Sequence, residues 1–245
     1  MLAILGGSGL SQLSGLEDIR RTAAVTPYGE PSGPLAFGRI GGREVVFLAR
    51  HGEAHTIAPH QINYRANIWA LKEAGVKEIA SVATVGGIRR EFGPGALAVP
   101  DQILDYTWGR ASTFFEGAGA KVTHIDFTEP YSAALRARIL AAAAACGEAV
   151  ATSAVYATTQ GPRLETAAEI ARLERDGADL VGMTGMPEAA LAREAGLEYA
   201  ALAVVANHAA GRGESAHSIS LERLEAVLAQ SMGRVRRILV QLAAG

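Results

Sequence analysis

Arg50, His51 and Gly52 follow directly on the apolar run Val45 to Leu48, so a guanidinium and an imidazole leave a buried strand side by side. Strand ends are where open α/β sheets bind ligands, and this pair suits an anion. An arginine on a solvated rim beside a capping histidine is the structural alternative. Near the N-terminus, Leu2 to Leu5 runs into Gly6-Gly7-Ser8-Gly9. Glycines expose backbone N–H groups there and Ser8 adds a hydroxyl, a combination that fits an oxyanion or a plain turn. A dinucleotide fingerprint would need glycine at Gln12, and a serine-hydrolase elbow would need it at Leu10. His51, His55 and His60 invite a metal reading, but Gly52 stands where a zincin has glutamate. No metal site is expected.

Three further positions carry polar groups at element ends. Glu165 follows Gly161-Pro162-Arg163-Leu164 at the opening of a helix, where a carboxylate either caps the helix or faces a ligand. Gly182-Met183-Thr184 closes a strand with a flexible thioether and a hydroxyl. Asn207 ends the apolar run Ala200 to Ala206; its amide both donates and accepts, as a heterocycle requires, although asparagine there is also a turn former.

The elements that must hold these groups follow from periodicity. Strands are expected at Leu2 to Leu5, Val45 to Leu48, Ile79 to Val85, Val150 to Thr158, Leu180 to Met183 and Tyr199 to Val205. Helices are expected at Ile62 to Ala74, Ser132 to Ala145, Glu165 to Arg175 and Glu188 to Ala195. A last helical stripe runs from Leu221 to Leu242, with Gly233 as a point of interruption. This alternation predicts an α/β fold with a central mixed, largely parallel sheet flanked by helices. With 245 residues, 49% of them hydrophobic, and no compositional break, one domain spanning 1–245 is expected. A net charge of −2 offers no broad positive field for nucleic acid or an anionic membrane. The lone Cys146 permits no internal disulfide, and neither an export signal nor a membrane span is read, so a cytoplasmic location is expected.

Taken in order along the chain, these segments resemble the family of methylthioadenosine phosphorylases and trimeric purine nucleoside phosphorylases. The resemblance is carried by Gly6 to Leu10, Arg50-His51-Gly52 with His55, Asn63 to Ile68, Gly161-Pro162-Arg163 with Glu165-Thr166, Asp179 to Thr184 and Pro187-Glu188. It implies phosphate held by Ser8, Arg50, His51 and Thr184, with Thr84 contributing from Ala83-Thr84-Val85-Gly86. It also implies Met183 against the ribose and the purine beside Glu165 and Asn207. The reaction implied is phosphate attack at the anomeric carbon, giving free base and a ribose 1-phosphate, with no metal or organic cofactor. His51 and Asn207 would be the catalytic side chains, Asn207 through a hydrogen bond at N7 that strengthens as the base leaves.

Departures from the family bear on the substrate. Members acting on 6-aminopurines have aspartate matching Asn207, a second aspartate matching Ala209, and serine matching Glu165. All three differ here, and a carboxylate facing N1 suits the N1–H of a 6-oxopurine while opposing the N1 lone pair of adenine. Ile219, Leu221 and Leu224 form an apolar stretch at the 5′ end that suits a methylthio group, although His217 lies close by for a 5′-hydroxyl. The expected substrate is therefore a 5′-methylthio nucleoside of hypoxanthine. Inosine or guanosine phosphorolysis, methylthioadenosine phosphorolysis and a silent nucleoside or phosphate sensor are the alternatives. Val122 to Ile125 matches a segment that reaches a neighbouring subunit's pocket in the family, which makes His124 a substrate-binding candidate and implies a homotrimer.

Overall fold

The computed structural model describes residues 1–10, 13, 15–117 and 119–245; Gln12 lies outside the described residues. In chain order the strands are β1 (Leu2–Gly6), β2 (Glu17–Thr22), β3 (Leu35–Ile40), β4 (Arg43–Ala49), β5 (Glu78–Gly87), β6 (Leu97–Ala98), β7 (Gln102–Asp105), β8 (Val155–Thr158), β9 (Leu180–Gly182) and β10 (Glu198–His208). The helices are α1 (Tyr64–Glu73), α2 (Ala133–Ala145), α3 (Ala167–Arg175), α4 (Gly185–Glu194) and α5 (Leu221–Ala244). The strands form one ten-stranded mixed sheet in the order β2-β3-β4-β1-β5-β9-β8-β7, with β10 paired to β5 and β6.

β1 runs parallel to both β4 and β5 and is buried throughout, which explains its unbroken apolar sequence. Its side chains alternate between two cores. Leu2 and Ile4 join Leu135, Ile139, Val235 and Leu239 under α2 and α5, whereas Ala3 and Leu5 join Ile68, Leu71, Ala189 and Leu191 under α1 and α4. Each of α1, α2, α3 and α5 begins on a polar side chain, Asn63, Ser132, Thr166 and Ser220, that accepts a backbone N–H of the first turn.

The structure departs from the expected elements at identifiable places. α5 runs without a break through Gly233, because burial of Met232, Val235 and Ile238 outweighs the roughly 1 kcal/mol that a helical glycine costs. The strand expected from Val150 begins only at Val155; before it, Ala151 makes a single bridge to Ala98. β2 is exposed along its whole length, an edge strand whose charges leave no apolar alternation to read.

Beneath the C-terminal ends of β1, β4 and β5 sits a charge pair with almost no solvent contact. Arg50 is fully buried, and its Nε and Nη2 donate to the Glu188 carboxylate at 2.6 and 2.9 Å. Nη2 also meets Ser81 Oγ at 2.7 Å, and Nη1 donates to the Val82 carbonyl at 3.0 Å. Glu188 further accepts from Ser81 Oγ at 3.0 Å and Tyr199 Oη at 2.7 Å. Burial opposes the charge on Arg50, yet Glu188, with smaller contributions from Tyr199 and Tyr64, carries its pKa upward. Removing one partner leaves the other charge buried and unpaired, so Glu188→Ala is expected to cost about 3–5 kcal/mol in urea unfolding. Replacing both charges with Arg50→Met and Glu188→Leu should recover much of that loss. A single variant as stable as the parent would show that the pair is not what holds these strands to α4.

Candidate functional site

The glycine loop after β1, the end of β4, the second half of β5, the turn after β9 and the end of β10 converge on one cavity of about 190 Å3. It is lined by Ser8, Arg50, His51, Thr84, Glu165, Met183, Thr184, Asn207, Ala209 and Ile219, together with Gly7, Val181 and Leu224. The residues named come from seven separate stretches of sequence that meet around strand ends, the location expected for an open α/β sheet. Leu221 does not line this cavity; it is exposed at the start of α5, and Leu224, one turn later, takes the wall position. His124 lies exposed in an irregular segment outside this cavity, and His217 is also exposed.

The loop from Gly6 is tightly specified. A Cβ on Gly7 would lie 2.6 Å from the Val82 carbonyl oxygen and 3.0 Å from Nη1 of Arg50, so only glycine lets the loop lie against the guanidinium. Leu10 N closes the turn onto the Gly7 carbonyl at 3.0 Å, and Thr84 Oγ1 donates to the Ser8 carbonyl at 3.2 Å. Ser8 Oγ lies 3.4 Å from His55 Nε2, a contact that sequence reasoning did not anticipate. The forked edge of Arg50 faces Glu188 and not the cavity, because the carboxylate supplies a matched bidentate partner. With one Nη1 hydrogen on Val82, the remaining one is what Arg50 offers toward the loop.

His51 Nδ1 is 2.9 Å from the Ile57 carbonyl, which only accepts, so Nδ1 carries the proton and Nε2 is left as an acceptor. Burial, the adjacent Arg50 charge and His55 drive its pKa down to about 4, so the ring is neutral near pH 7. The His51 and His55 rings lie 4.6 Å apart. Among the described residues, no group of three or more His, Cys, Asp or Glu side chains is arranged to hold a metal ion.

At the other end of the cavity, the register of β10 against β5 shifts between Val205 and Asn207, so Ala206 is the extra residue of a bulge. That bulge re-aims Asn207, whose Nδ2 donates to the His208 carbonyl at 2.6 Å and leaves Oδ1 and one N–H available. Glu165 immediately precedes Thr166, the N-cap of α3, whose capping box with Glu169 fixes the backbone there. Burial raises the Glu165 pKa, and a 2.5 Å hydrogen bond from Thr159 Oγ1 opposes that rise. Gly161, at φ 60°, makes room for Met183: a Cβ there would lie 2.4 Å from the sulfur.

Arg110 was not singled out from sequence, yet it fastens the two turns that carry these groups. It donates to the carbonyls of Met183 and Met186 at 2.8 and 2.6 Å and to those of Thr159 and Gln160 at 3.3 and 2.8 Å. Its neighbours in sequence have no helical or strand period, so nothing local marks it. An adjoining cavity of about 280 Å3, lined by Tyr106, Trp108, Arg163 and Arg172, shares Glu165 but not the glycine loop.

The comparisons with known proteins bear on this arrangement. The family model of the phosphorylase superfamily matches residues 1–244. A probable S-methyl-5′-thioinosine phosphorylase of Xanthomonas campestris pv. campestris is 55% identical over 232 residues, covering 95% of this chain and 93% of that protein. A 6-oxopurine nucleoside phosphorylase of Pyrococcus furiosus is 46% identical over 215 residues, covering 86% and 80%. The solved methylthioadenosine phosphorylase from Schistosoma mansoni in complex with adenine superposes with a TM-score of 0.95 at 32% identity, over 99% of this chain and 90% of that one. With a family match along nearly all its length and relatives this similar, the chain belongs to the phosphorylase superfamily.

Proposed function

We propose that this chain cleaves S-methyl-5′-thioinosine with inorganic phosphate, releasing hypoxanthine and 5-methylthioribose 1-phosphate. Its family makes it a pentosyltransferase that uses phosphate; the substrate rests on the cavity. The observation that carries the reading is that Glu165 and Asn207 line the same cavity as the hydroxyls of Ser8, Thr84 and Thr184.

Phosphate is held by Ser8, Thr184 and the free N–H of Arg50, and by Thr84 once its hydroxyl turns from the Ser8 carbonyl to the anion, while neutral His51 accepts from a P–OH group through Nε2. Because Glu188 already balances Arg50, the bound anion keeps its charge for the ribosyl cation that forms beside Met183. A phosphate oxygen bonds to C1′ as the C1′–N9 bond breaks, and the electron pair passes into the purine. Asn207 donates to O6 with its remaining N–H, and Oδ1 accepts from N7 as that atom takes a proton from water. The hydrogen bond at N7 is strongest when the base departs, which is what lowers the barrier. Glu165 accepts from N1–H. Ile219 and Leu224 supply an apolar wall for the methylthio group, with His217 outside the lining.

The same reading makes the active form a homotrimer in the cytoplasm, with His124 completing a neighbour's pocket and no metal or organic cofactor taking part. Exposure of Val122 and His124 supports that role for their segment. No described helix is long and apolar enough to cross a membrane.

Initial rates of base release from methylthioinosine, methylthioadenosine, inosine and adenosine, with and without phosphate, test the assignment. Phosphate-dependent cleavage with methylthioinosine the best substrate is expected; inosine cleaved as fast or faster would overturn the 5′ assignment. In Asn207→Asp, an oxygen replaces the amide NH2 whose two hydrogens serve O6 and the His208 carbonyl. Its kcat/KM on methylthioinosine should fall about a hundredfold, with the preference moving toward methylthioadenosine. Unchanged base selectivity would remove Asn207 from recognition.

Neutral His51 also has a signature in the free protein. Its pKa falls from 6.5 to about 4 on folding, so below pH 6.5 the unfolded chain takes up a proton that the folded one refuses. Stability attributable to this group is complete above pH 6.5 and lost as pH falls toward about 4, by roughly 3 kcal/mol at most. Urea midpoints at about pH 7.5 and about pH 4.5 should drop further for the parent than for His51→Gln. Equal drops would mean the imidazole is not held neutral.

A further inference from the structure

We propose that Thr159 sets base specificity from behind Glu165, its hydroxyl holding one carboxylate oxygen so that the other is presented to the purine as a hydrogen-bond acceptor. This rests on the reading of Glu165 as the group facing N1. The hydroxyl has a single proton and two acceptors within reach, Glu165 Oε1 at 2.5 Å and the Gly182 carbonyl at 3.3 Å. The shorter contact, to a charged acceptor, takes the proton. Thr159 is itself fixed: its N–H donates to the Gly182 carbonyl at 2.8 Å, and its carbonyl accepts from Arg110 Nη2 at 3.3 Å.

The surrounding charges are engaged elsewhere. Arg163 forms a two-pronged pair with Glu169 at 2.9 and 2.8 Å. Across the adjoining cavity, Tyr106 donates to Asp176 at 2.5 Å, and Arg172 lies 3.6 Å from the same carboxylate. Arg110 is turned onto main-chain carbonyls. Across the nucleoside cavity stand Asn207 and neutral His51. Thr159 is therefore the side-chain donor to Glu165 among the described residues. Without that hydroxyl, burial favours the protonated carboxyl, which donates where it should accept. A protonated Glu165 suits the N1 lone pair of a 6-aminopurine and serves the N1–H of a 6-oxopurine poorly.

The test compares Thr159→Val, which keeps the shape and loses the hydroxyl, with Thr159→Ser, which keeps the hydroxyl, and with Glu165→Gln. Measured are kcat/KM for methylthioinosine and methylthioadenosine from about pH 5 to about pH 8. Thr159→Val should lose roughly tenfold of the preference for the 6-oxopurine, the worth of one hydrogen bond to a charged group, and its acidic limb should move to higher pH. Thr159→Ser should restore both. A parental ratio and acidic limb in Thr159→Val, beside a lost preference in Glu165→Gln, would sink the role of Thr159 alone. A parental preference in Glu165→Gln would sink the reading of Glu165, and Thr159 with it.

Discussion

The ion pair between Arg50 and Glu188 is the constraint on which the rest of the site depends. Two charges with almost no exposure persist only when nearly every donor and acceptor around them is matched, and here, besides each other, four residues match them: Leu5, Ser81, Val82 and Tyr199. Those partners belong to β1, β5, β10 and α4, so the pair fixes the mutual position of the sheet's centre and one covering helix. Gly7 can lie so close to Arg50 that a Cβ on it would come within 3.0 Å of Nη1, a fit that requires the guanidinium to be held in place. The glycine loop, and with it Ser8, therefore inherits its position from a charge pair one layer beneath the cavity.

The same pair decides the electrostatics of catalysis. A phosphate held by free arginines would lose much of its charge to them before reaching the sugar. Here the arginine is already balanced and His51 is neutral, so in the proposed mechanism the anion is bound by hydroxyls and N–H dipoles that orient it without neutralising it. That arrangement keeps negative charge where the ribosyl cation develops, an effect that a low-dielectric site enlarges. Specificity is built by a different device at the opposite end, from neutral groups that fix the direction of a hydrogen bond.

Much of this was legible in the sequence, because burial and turn chemistry write themselves locally. Leu2 to Leu5, Val45 to Leu48 and the run to Ala206 are apolar because both faces of each strand are covered. The polar residues that follow them mark where the chain leaves the sheet. What escaped was whatever depends on partners distant in sequence or on geometry without a composition. Arg50 was read as a fork for phosphate because its partner lies 138 residues away. The bulge at Ala206 leaves no trace in residue type, and Arg110 sits among residues with no period. Leu221 and Leu224 are indistinguishable by hydrophobicity; only the helix phase, which turns Leu221 to solvent, separates them. The charged edge strand β2 carries no alternation at all, so its pairing with β3 is a tertiary fact.

The two halves of the site differ in how directly they meet the buried pair, and this difference has a consequence for how base preference changes. In the proposed reading phosphate is surrounded by the ends of β1, β4 and β5 and by the turn from β9 into α4, and the buried pair ties β1, β5 and α4 together. In the same reading the base is met by Glu165, just ahead of α3, and by Asn207, on a bulge at the end of β10. Neither residue touches Arg50 or Glu188. Substitution at 165, 207 or 209 thus leaves the anion site and the buried charges in place, and its effect is confined to which hydrogen-bonding edge the cavity accepts. A carboxylate at 165, however, introduces a group whose proton must be controlled, a demand that a hydroxyl such as serine does not make. In the proposed arrangement Thr159, the residue just after β8, meets that demand through its side chain, and Arg110 holds its carbonyl in turn. On this proposal, specificity for a 6-oxopurine is a property of three positions acting in series, not of the one residue nearest the base.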